Sequence, residues 1–131
     1  TNSTYYTDNP SRLIDFRYLV TQPVLNAHGT LHGGFLMKWA DECAGMHARK
    51  STGYVCVTRF IDRINFVSTA RIGTIVRITT RIESVGSSSI TFSIIAKDDM
   101  TDAQIATIDK IVFVCVDGNH TPIRHGIELD E

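Results

Sequence analysis

The stretch Asn26–Gly45, NAHGTLHGGFLMKWADECAG, decides the fold, because a glycine-rich loop runs directly into the longest helical pattern of the chain. Positions 26–34 contain three glycines, the densest loop signal in the sequence. Residues 31–49 contain strong helix formers and no proline, which predicts a helix. At about 100° per residue, one face of it carries apolar side chains and His47: Leu36, Trp39, Ala40, Cys43 and His47. The opposite face carries Lys38, Glu42 and Arg49.

Strand patterns lie on both sides of this helix. Residues 12–21 are rich in aromatic and β-branched side chains and predict a short first strand. Four longer strand patterns follow the helix, at 54–67, 75–85, 89–97 and 103–116. Apolar and polar residues alternate in 75–85, as expected for a half-exposed strand. Short turns such as Gly86-Ser87-Ser88 predict antiparallel pairing. A sheet of this kind covered by one helix belongs to the α+β class.

The composition fits one globular domain. The chain has 131 residues, 43% hydrophobic and 21% charged, and we expect a polar leader at 1–11, a domain at 12–122 and a tail at 123–131. The net charge of −1 indicates neither nucleic acid nor a membrane as partner. The sequence contains no apolar run of about 18 residues, so it predicts no membrane-spanning helix. The three cysteines have no metal-site spacing, so we expect reduced thiols in a cytoplasmic protein.

Two readings of the loop and helix remain open from the residues alone. Gly33 and Gly34 lie at the predicted helix start, where N–H groups without an intrahelical partner can hold a carbonyl oxygen as it gains negative charge. The alternative is that these glycines only form a tight turn. Asp41 lies at the edge of the polar face, where it is either a solvated helix residue or a carboxylate with room beside it for a ligand.

The same stretch resembles the signature of the cytosolic acyl-CoA hydrolase group of hotdog thioesterases. That signature has an asparagine, a turn ending in two glycines, and an aspartate seven residues after the second glycine, here Asn26, Gly34 and Asp41. The similarity continues through further segments in the same order, over roughly residues 20 to 122. These are F60-I-D-R-I-N-F-V67, R71-I-G73, V85-G-S-S-S-I-T91 and I111-V-F-V-C-V-D-G118.

The resemblance implies the hotdog fold, an antiparallel sheet of five to six strands wrapped around one long central helix. It implies hydrolysis of acyl-CoA to a free acid and CoA, with Asp41 as general base or nucleophile. Asn26 is then its polar partner, and the Gly34 N–H polarises the thioester carbonyl. Neither a metal nor a cofactor is expected, apart from the coenzyme A that is part of the substrate and product.

The resemblance also implies where the substrate binds. His32, Gly33, Thr58 and Arg59 are expected to contact it, and the hairpin Gly86-Ser87-Ser88 lies where CoA is expected. Arg63, Arg77 and Arg81 are, like Arg59, candidates for pairing with CoA phosphates. The group often has arginine where Ser87 stands, a difference that weakens or moves one phosphate contact.

The site in this group lies between two protomers, which implies a homodimer or a trimer of dimers. Two other functions remain as alternatives. One is an acyl-CoA-binding or sensor domain without catalysis, which has no need for both Asp41 and Asn26. The other is a hydratase acting on enoyl thioesters, in which His32 is the acid or base.

Overall fold

The computed structural model describes residues 11–129, so the predicted leader lies outside the described residues except for Ser11. The described residues form one helix, one 3-10 turn and five strands. In chain order these are β1 (Leu13–Leu19), the 3-10 turn (Gln22–Val24), α1 (Gly33–Thr52), β2 (Val55–Phe66), β3 (Ile75–Val85), β4 (Ser89–Asp98) and β5 (Gln104–Val116). The strands form a single sheet in the order β1-β3-β4-β5-β2, with antiparallel pairing throughout. The α+β prediction is confirmed.

The core lies between the sheet and α1. Every second residue of β3 and β4 is buried, as the alternation predicts: Val76, Ile78, Thr80, Ile82, Ile90, Phe92, Ile94 and Ala96. The predicted apolar helix face is buried against them, while Lys38, Glu42 and Arg49 are exposed. Phe92 contacts both the His47 ring of α1 and the Phe113 ring of β5, with centroid distances of 5.0 and 5.9 Å. The helix is therefore held over the middle of the sheet.

The helix begins and ends later than the sequence predicted. Leu31 pairs with Leu25 in an isolated bridge and its N–H donates to the Ala70 carbonyl, so tertiary hydrogen bonds remove it from the helix. His32 becomes the N-cap. The helix continues to Thr52, and Gly53 ends it in the left-handed region with φ of 77°. No helix within residues 11–129 has the length and hydropathy needed to cross a bilayer.

The neighbouring strands β5 and β2 differ in burial. β5 lies between β4 and β2 and is buried along most of its final residues, as the IVFVCV pattern predicted. β2 is a 12-residue edge strand with exposed Phe60 and Phe66. A register shift between Thr58 and Phe60 interrupts its pairing with β5. A long apolar edge of this kind favours pairing with a further strand.

The segment predicted as a tail packs on the domain as far as it is described. Ile127 is buried in the core cluster. The His125 N–H donates to the Ser87 carbonyl at 3.1 Å, and His125 Nε2 bonds the Ser89 carbonyl at 2.9 Å. These bonds place residues 123–129 against the hairpin between β3 and β4.

Candidate functional site

The start of α1 is built around two adjacent glycines. His32 Nδ1 accepts a hydrogen bond from the Gly34 N–H at 2.9 Å, and the His32 carbonyl accepts from the Phe35 N–H at 3.0 Å. A Cβ on Gly34 would lie 3.0 Å from His32 Nδ1, and a Cβ on Gly33 would lie 3.2 Å from the Phe66 ring. Both glycines therefore allow the side chains of His32 and Phe66 to approach the N-terminus of α1, which is the positive end of the helix dipole.

The Gly34 N–H is thus occupied by His32 in this conformation. A substrate carbonyl can use this donor only when the His32 ring rotates away. Gly33 precedes it by one residue and also lies in the first turn, where N–H groups lack an intrahelical acceptor. The helix start therefore holds two adjacent N–H groups, one of which His32 occupies in this conformation.

Asn26 organises the loop that leads to the helix. Its side-chain oxygen accepts from the backbone N–H groups of His28 at 2.9 Å and Thr30 at 3.1 Å. Its amide nitrogen donates to Thr30 Oγ1 at 3.0 Å. Gly29 makes the tight turn between them with φ of 78°. Asn26 is therefore a rigid polar group in the loop.

A cleft of about 190 Å³ connects this loop to the helix start. Its wall combines polar and apolar residues: Asn26, Thr30, Leu31, Gly33, Leu36, Phe66, Ser68, Thr69, Ala70 and Ile105. The structure thus brings Asn26 and Gly33 into one cleft. Asp41 is not among its lining residues.

Asp41 lies two helical turns beyond Gly34, about 10 Å further along the axis. Its Oδ1 accepts a hydrogen bond from Thr58 Oγ1 at 2.5 Å. Asp41 is half-buried and Thr58 is exposed, so the carboxylate is held at the surface rather than enclosed in the core. Within one chain, Asp41 and Thr58 form one half of the predicted site, and Asn26 with the glycines forms the other.

Three of the four candidate arginines pair with acids of their own chain. Arg77 contacts Asp99 at 2.9 Å and also bonds Asp102. Arg63 lies 3.6 Å from Asp109, and Arg81 lies 3.4 Å from Glu83. Arg59 is exposed at the β2 bulge and makes no salt bridge with the residues described.

A second cavity, of about 210 Å³, lies beside the hairpin between β3 and β4. It combines two residues predicted to bind CoA, Gly86 and Ser87, with basic groups from the segment predicted as a tail, Arg124 and His125. Its lining is Gly86, Ser87, Arg124, His125, Gly126, Ile127 and Glu128. Ser88 is not part of this lining; its carbonyl instead accepts the Cys115 N–H at 2.8 Å. The signal missed was the pair of isoleucines, Ile123 and Ile127, flanking Arg124 and His125, which indicates a packed segment.

The described residues contain no group of three or more His, Cys, Asp or Glu side chains placed to hold a metal ion.

The chain is similar in sequence to thioesterases. The family model of the thioesterase superfamily matches residues 28–102. The acetyl-coenzyme A thioesterase of Mus musculus is 39% identical over 92 residues, covering 66% of this chain and 16% of that protein. The chain thus spans about a sixth of the length of this curated relative.

The fold is similar to those of solved thioesterases. An acyl-CoA hydrolase from Staphylococcus aureus, solved with butyryl coenzyme A, coenzyme A and coenzyme A disulfide, gives a TM-score of 0.79 at 24% identity, covering 96% of this chain and 77% of that one. That hydrolase has also been solved with an aspartate, an asparagine or a threonine changed to alanine. A hexameric thioesterase from Yersinia pestis gives a TM-score of 0.77 at 26% identity, covering 83% of this chain and 91% of that one. The predicted hotdog fold is confirmed.

Proposed function

Because this chain belongs to the thioesterase superfamily, we propose that it hydrolyses acyl-CoA to a free carboxylic acid and CoA. The observation that carries the proposal is the Asp41 carboxylate, oriented by Thr58 on a helix that begins with two glycines. The names of the mouse relative and of the Staphylococcus aureus hydrolase support the substrate class. The three residue types changed in that hydrolase are those of Asp41, Asn26 and Thr58.

Asp41 performs the proton transfer in this proposal. Thr58 occupies Oδ1, so Oδ2 remains to take a proton from a water molecule. The water oxygen attacks the thioester carbonyl carbon, and the carbonyl oxygen becomes negatively charged. The C–S bond then breaks and the proton passes from Asp41 to the leaving thiolate. A carboxylate acting directly as nucleophile uses the same contacts, with an anhydride that water then hydrolyses.

The oxyanion is stabilised at the start of α1. The N–H groups of Gly33 and Gly34 point outward at the positive end of the helix dipole. A carbonyl oxygen there replaces His32 Nδ1 as acceptor of the Gly34 N–H. In this arrangement His32 accepts the hydrogen bond of the Gly34 N–H when no substrate is bound, and the substrate carbonyl takes its place.

The complete site forms between two protomers. Asp41 and Thr58 lie together, whereas Asn26 and Gly33 line a cleft that does not include Asp41. A second copy of the chain can bring its own Asn26 and Gly33 to face Asp41. The exposed apolar edge of β2 is the surface on which such a dimer is built. The hexameric assembly of the Yersinia pestis thioesterase supports a homo-oligomer.

The CoA phosphates bind beside the hairpin between β3 and β4. Ser87 replaces the arginine that this group often has, and Arg124 supplies a guanidinium to the same cavity from the C-terminal segment. Glu128 also lines this cavity, so the local charge is balanced until a phosphate binds. Arg59 is the second cation available to the phosphates. The free thiols of all three cysteines suit a cytoplasmic site of action.

The experiment that tests this function is release of free CoA from short, medium and long acyl-CoAs. Wild type is compared with Asp41→Asn, and Glu42→Gln on the exposed helix face is the control. We expect turnover in wild type and in the control, and a loss of about 10²- to 10⁴-fold in Asp41→Asn. Tight binding of acyl-CoA without turnover in wild type would establish the sensor instead. Full activity of Asp41→Asn would remove Asp41 from the chemistry.

A further inference from the structure

Cys56 and Cys115 form a close thiol pair outside the proposed site. They are direct partners in the antiparallel register of β2 and β5. Their Sγ atoms lie 3.2 Å apart, and both cysteines are free thiols. Cys56 is partly exposed on the edge strand, while Cys115 is buried. One thiol is thus within reach of a small solute and the other lies directly behind it.

The backbone around the pair has the geometry that a disulfide needs. The Cys115 N–H donates to the Ser88 carbonyl at 2.8 Å, and the Cys115 carbonyl accepts from the Ile123 N–H at 2.9 Å. Both groups therefore point away from β2, which makes Cys56 and Cys115 a non-hydrogen-bonded pair. Such pairs have Cα atoms about 4.5 Å apart, and disulfides accept Cα separations of about 4.4 to 6.8 Å. The bond can form without moving either strand away from its neighbour.

The surroundings favour reaction at Cys56 first. The hydrogen bond from the Cys115 thiol lowers the pKa of Cys56 below its ordinary value, with further help from the Thr52 hydroxyl and the Arg49 charge. Burial raises the pKa of Cys43 to about 11, and that thiol lies on α1 beside Tyr18. Thiolates react and thiols do not, so Cys56 is the nucleophile of the three.

We propose that Cys56 and Cys115 are a redox site that hydrogen peroxide converts into a reversible cross-strand disulfide. The Cys56 thiolate attacks one peroxide oxygen, giving Cys56 sulfenic acid and hydroxide, which takes a proton to become water. The Cys115 sulfur then attacks the sulfenic sulfur. The S–S bond forms and a second water leaves, so two thiols and one peroxide give one disulfide and two waters. A dithiol reductant reverses the reaction by thiol–disulfide exchange.

The disulfide ties the beginning of β2 to the end of β5. Cys56 and Thr58 are two positions apart, so their side chains lie on the same face of β2. Thr58 in turn holds Asp41. The bond therefore fixes the segment that carries Thr58 and closes a loop between positions 59 apart. We expect the oxidised chain to have a higher Tm than the reduced chain.

The test treats the full chain with hydrogen peroxide and maps the cysteines by mass spectrometry. The expected result is a mass about 2 Da lower, for the two hydrogens removed, and a Cys56–Cys115 linked peptide. Cys43 remains open to alkylation after denaturation, and dithiothreitol restores all three thiols. Cys43→Ser is the control variant and still forms the bond, whereas Cys56→Ser does not.

Two results overturn the proposal. One is that all three cysteines of the peroxide-treated wild type still react with the alkylating agent. The other is that Cys56 gains oxygen atoms while Cys115 remains a free thiol. Both are read from wild-type peptides, so the answer does not depend on whether a variant folds. Electrophoresis of the same samples under denaturing, non-reducing conditions identifies any disulfide between chains, which also contradicts an internal bond.

Discussion

Asp41 depends on a neighbour 17 positions along the chain for its orientation. The Thr58 hydroxyl donates to Oδ1 and so determines which way the carboxylate plane faces. The resemblance indicated Thr58 as a substrate-binding residue, but its contact with Asp41 could not be read from the sequence. That contact depends on the turn at Gly53 and on the β2 register up to the bulge after Thr58.

Thr58→Val keeps the shape of the side chain and removes the donor. We expect kcat to fall about tenfold, the equivalent of one hydrogen bond to a charged group, with KM unchanged because the substrate contacts remain. Thr58→Ser restores the donor and is expected to regain most of kcat. Steady-state kinetics of the three proteins measures this. Equal kcat in wild type and Thr58→Val would show that Thr58 does not position Asp41.

His47 is a buried residue whose ionisation is linked to folding. Its Nε2 bonds the Ser11 carbonyl at 2.7 Å, which can only accept, so Nε2 carries the proton and Nδ1 accepts from Thr80 Oγ1 at 2.7 Å. Burial lowers the pKa of His47 below its ordinary value near 6.5. Between the folded-state pKa and about 6.5, the unfolded chain therefore binds a proton at His47 that the folded chain does not bind.

Stability is thus expected to fall as the pH drops from 7.5 to 5.5, by at most about 1.4 kcal/mol per pH unit for this one proton. His47→Gln removes the titrating group, so its stability should change less over the same interval. Urea unfolding at the two pH values measures both slopes, with exposed His28→Gln as the control. Identical pH dependence in wild type and His47→Gln would mean that His47 does not cause the loss of stability at low pH.

The sequence patterns predicted the bounds of the strands more accurately than the start of α1. The strands were predicted to within a few residues, since period-two alternation reports burial on one face of a sheet. The start of α1 was placed two residues early, because Leu31 has helical propensity but is hydrogen-bonded to Ala70. Propensity is a weak preference that a tertiary contact overrides.

His32→Ala distinguishes the contribution of His32 to helix stability from any contribution to catalysis. The cap is lost, so the free energy of unfolding should fall by about 1 kcal/mol. The Gly34 N–H becomes available to the substrate, so kcat should remain near that of wild type. Chemical unfolding and acyl-CoA turnover measure the two effects, with His28→Ala in the exposed loop as the control. A loss of turnover as deep as that of Asp41→Asn would instead make His32 the acid or base.

At the scale of the whole molecule, the sequence predicted one domain and the resemblance implied a shared site. The role of residues 123–129 was missed, because their packing depends on where the β3–β4 hairpin lies and not on a local pattern. Similarly, the spacing of Asn26 and Asp41 in the sequence does not show that Asn26 lines a cleft at the helix start whereas Asp41 is hydrogen-bonded to Thr58.

Mixing two inactive variants tests the shared site most directly. Asp41→Asn and Asn26→Ala are unfolded together, refolded as an equal mixture, and assayed for CoA release beside each variant refolded alone. In a mixed dimer one site receives intact Asp41 and intact Asn26, while the other site receives both changes. Random pairing then restores about a quarter of the wild-type activity. Activity that remains at the level of the separate variants, in a mixture shown to contain mixed oligomers, would contradict a site shared between protomers.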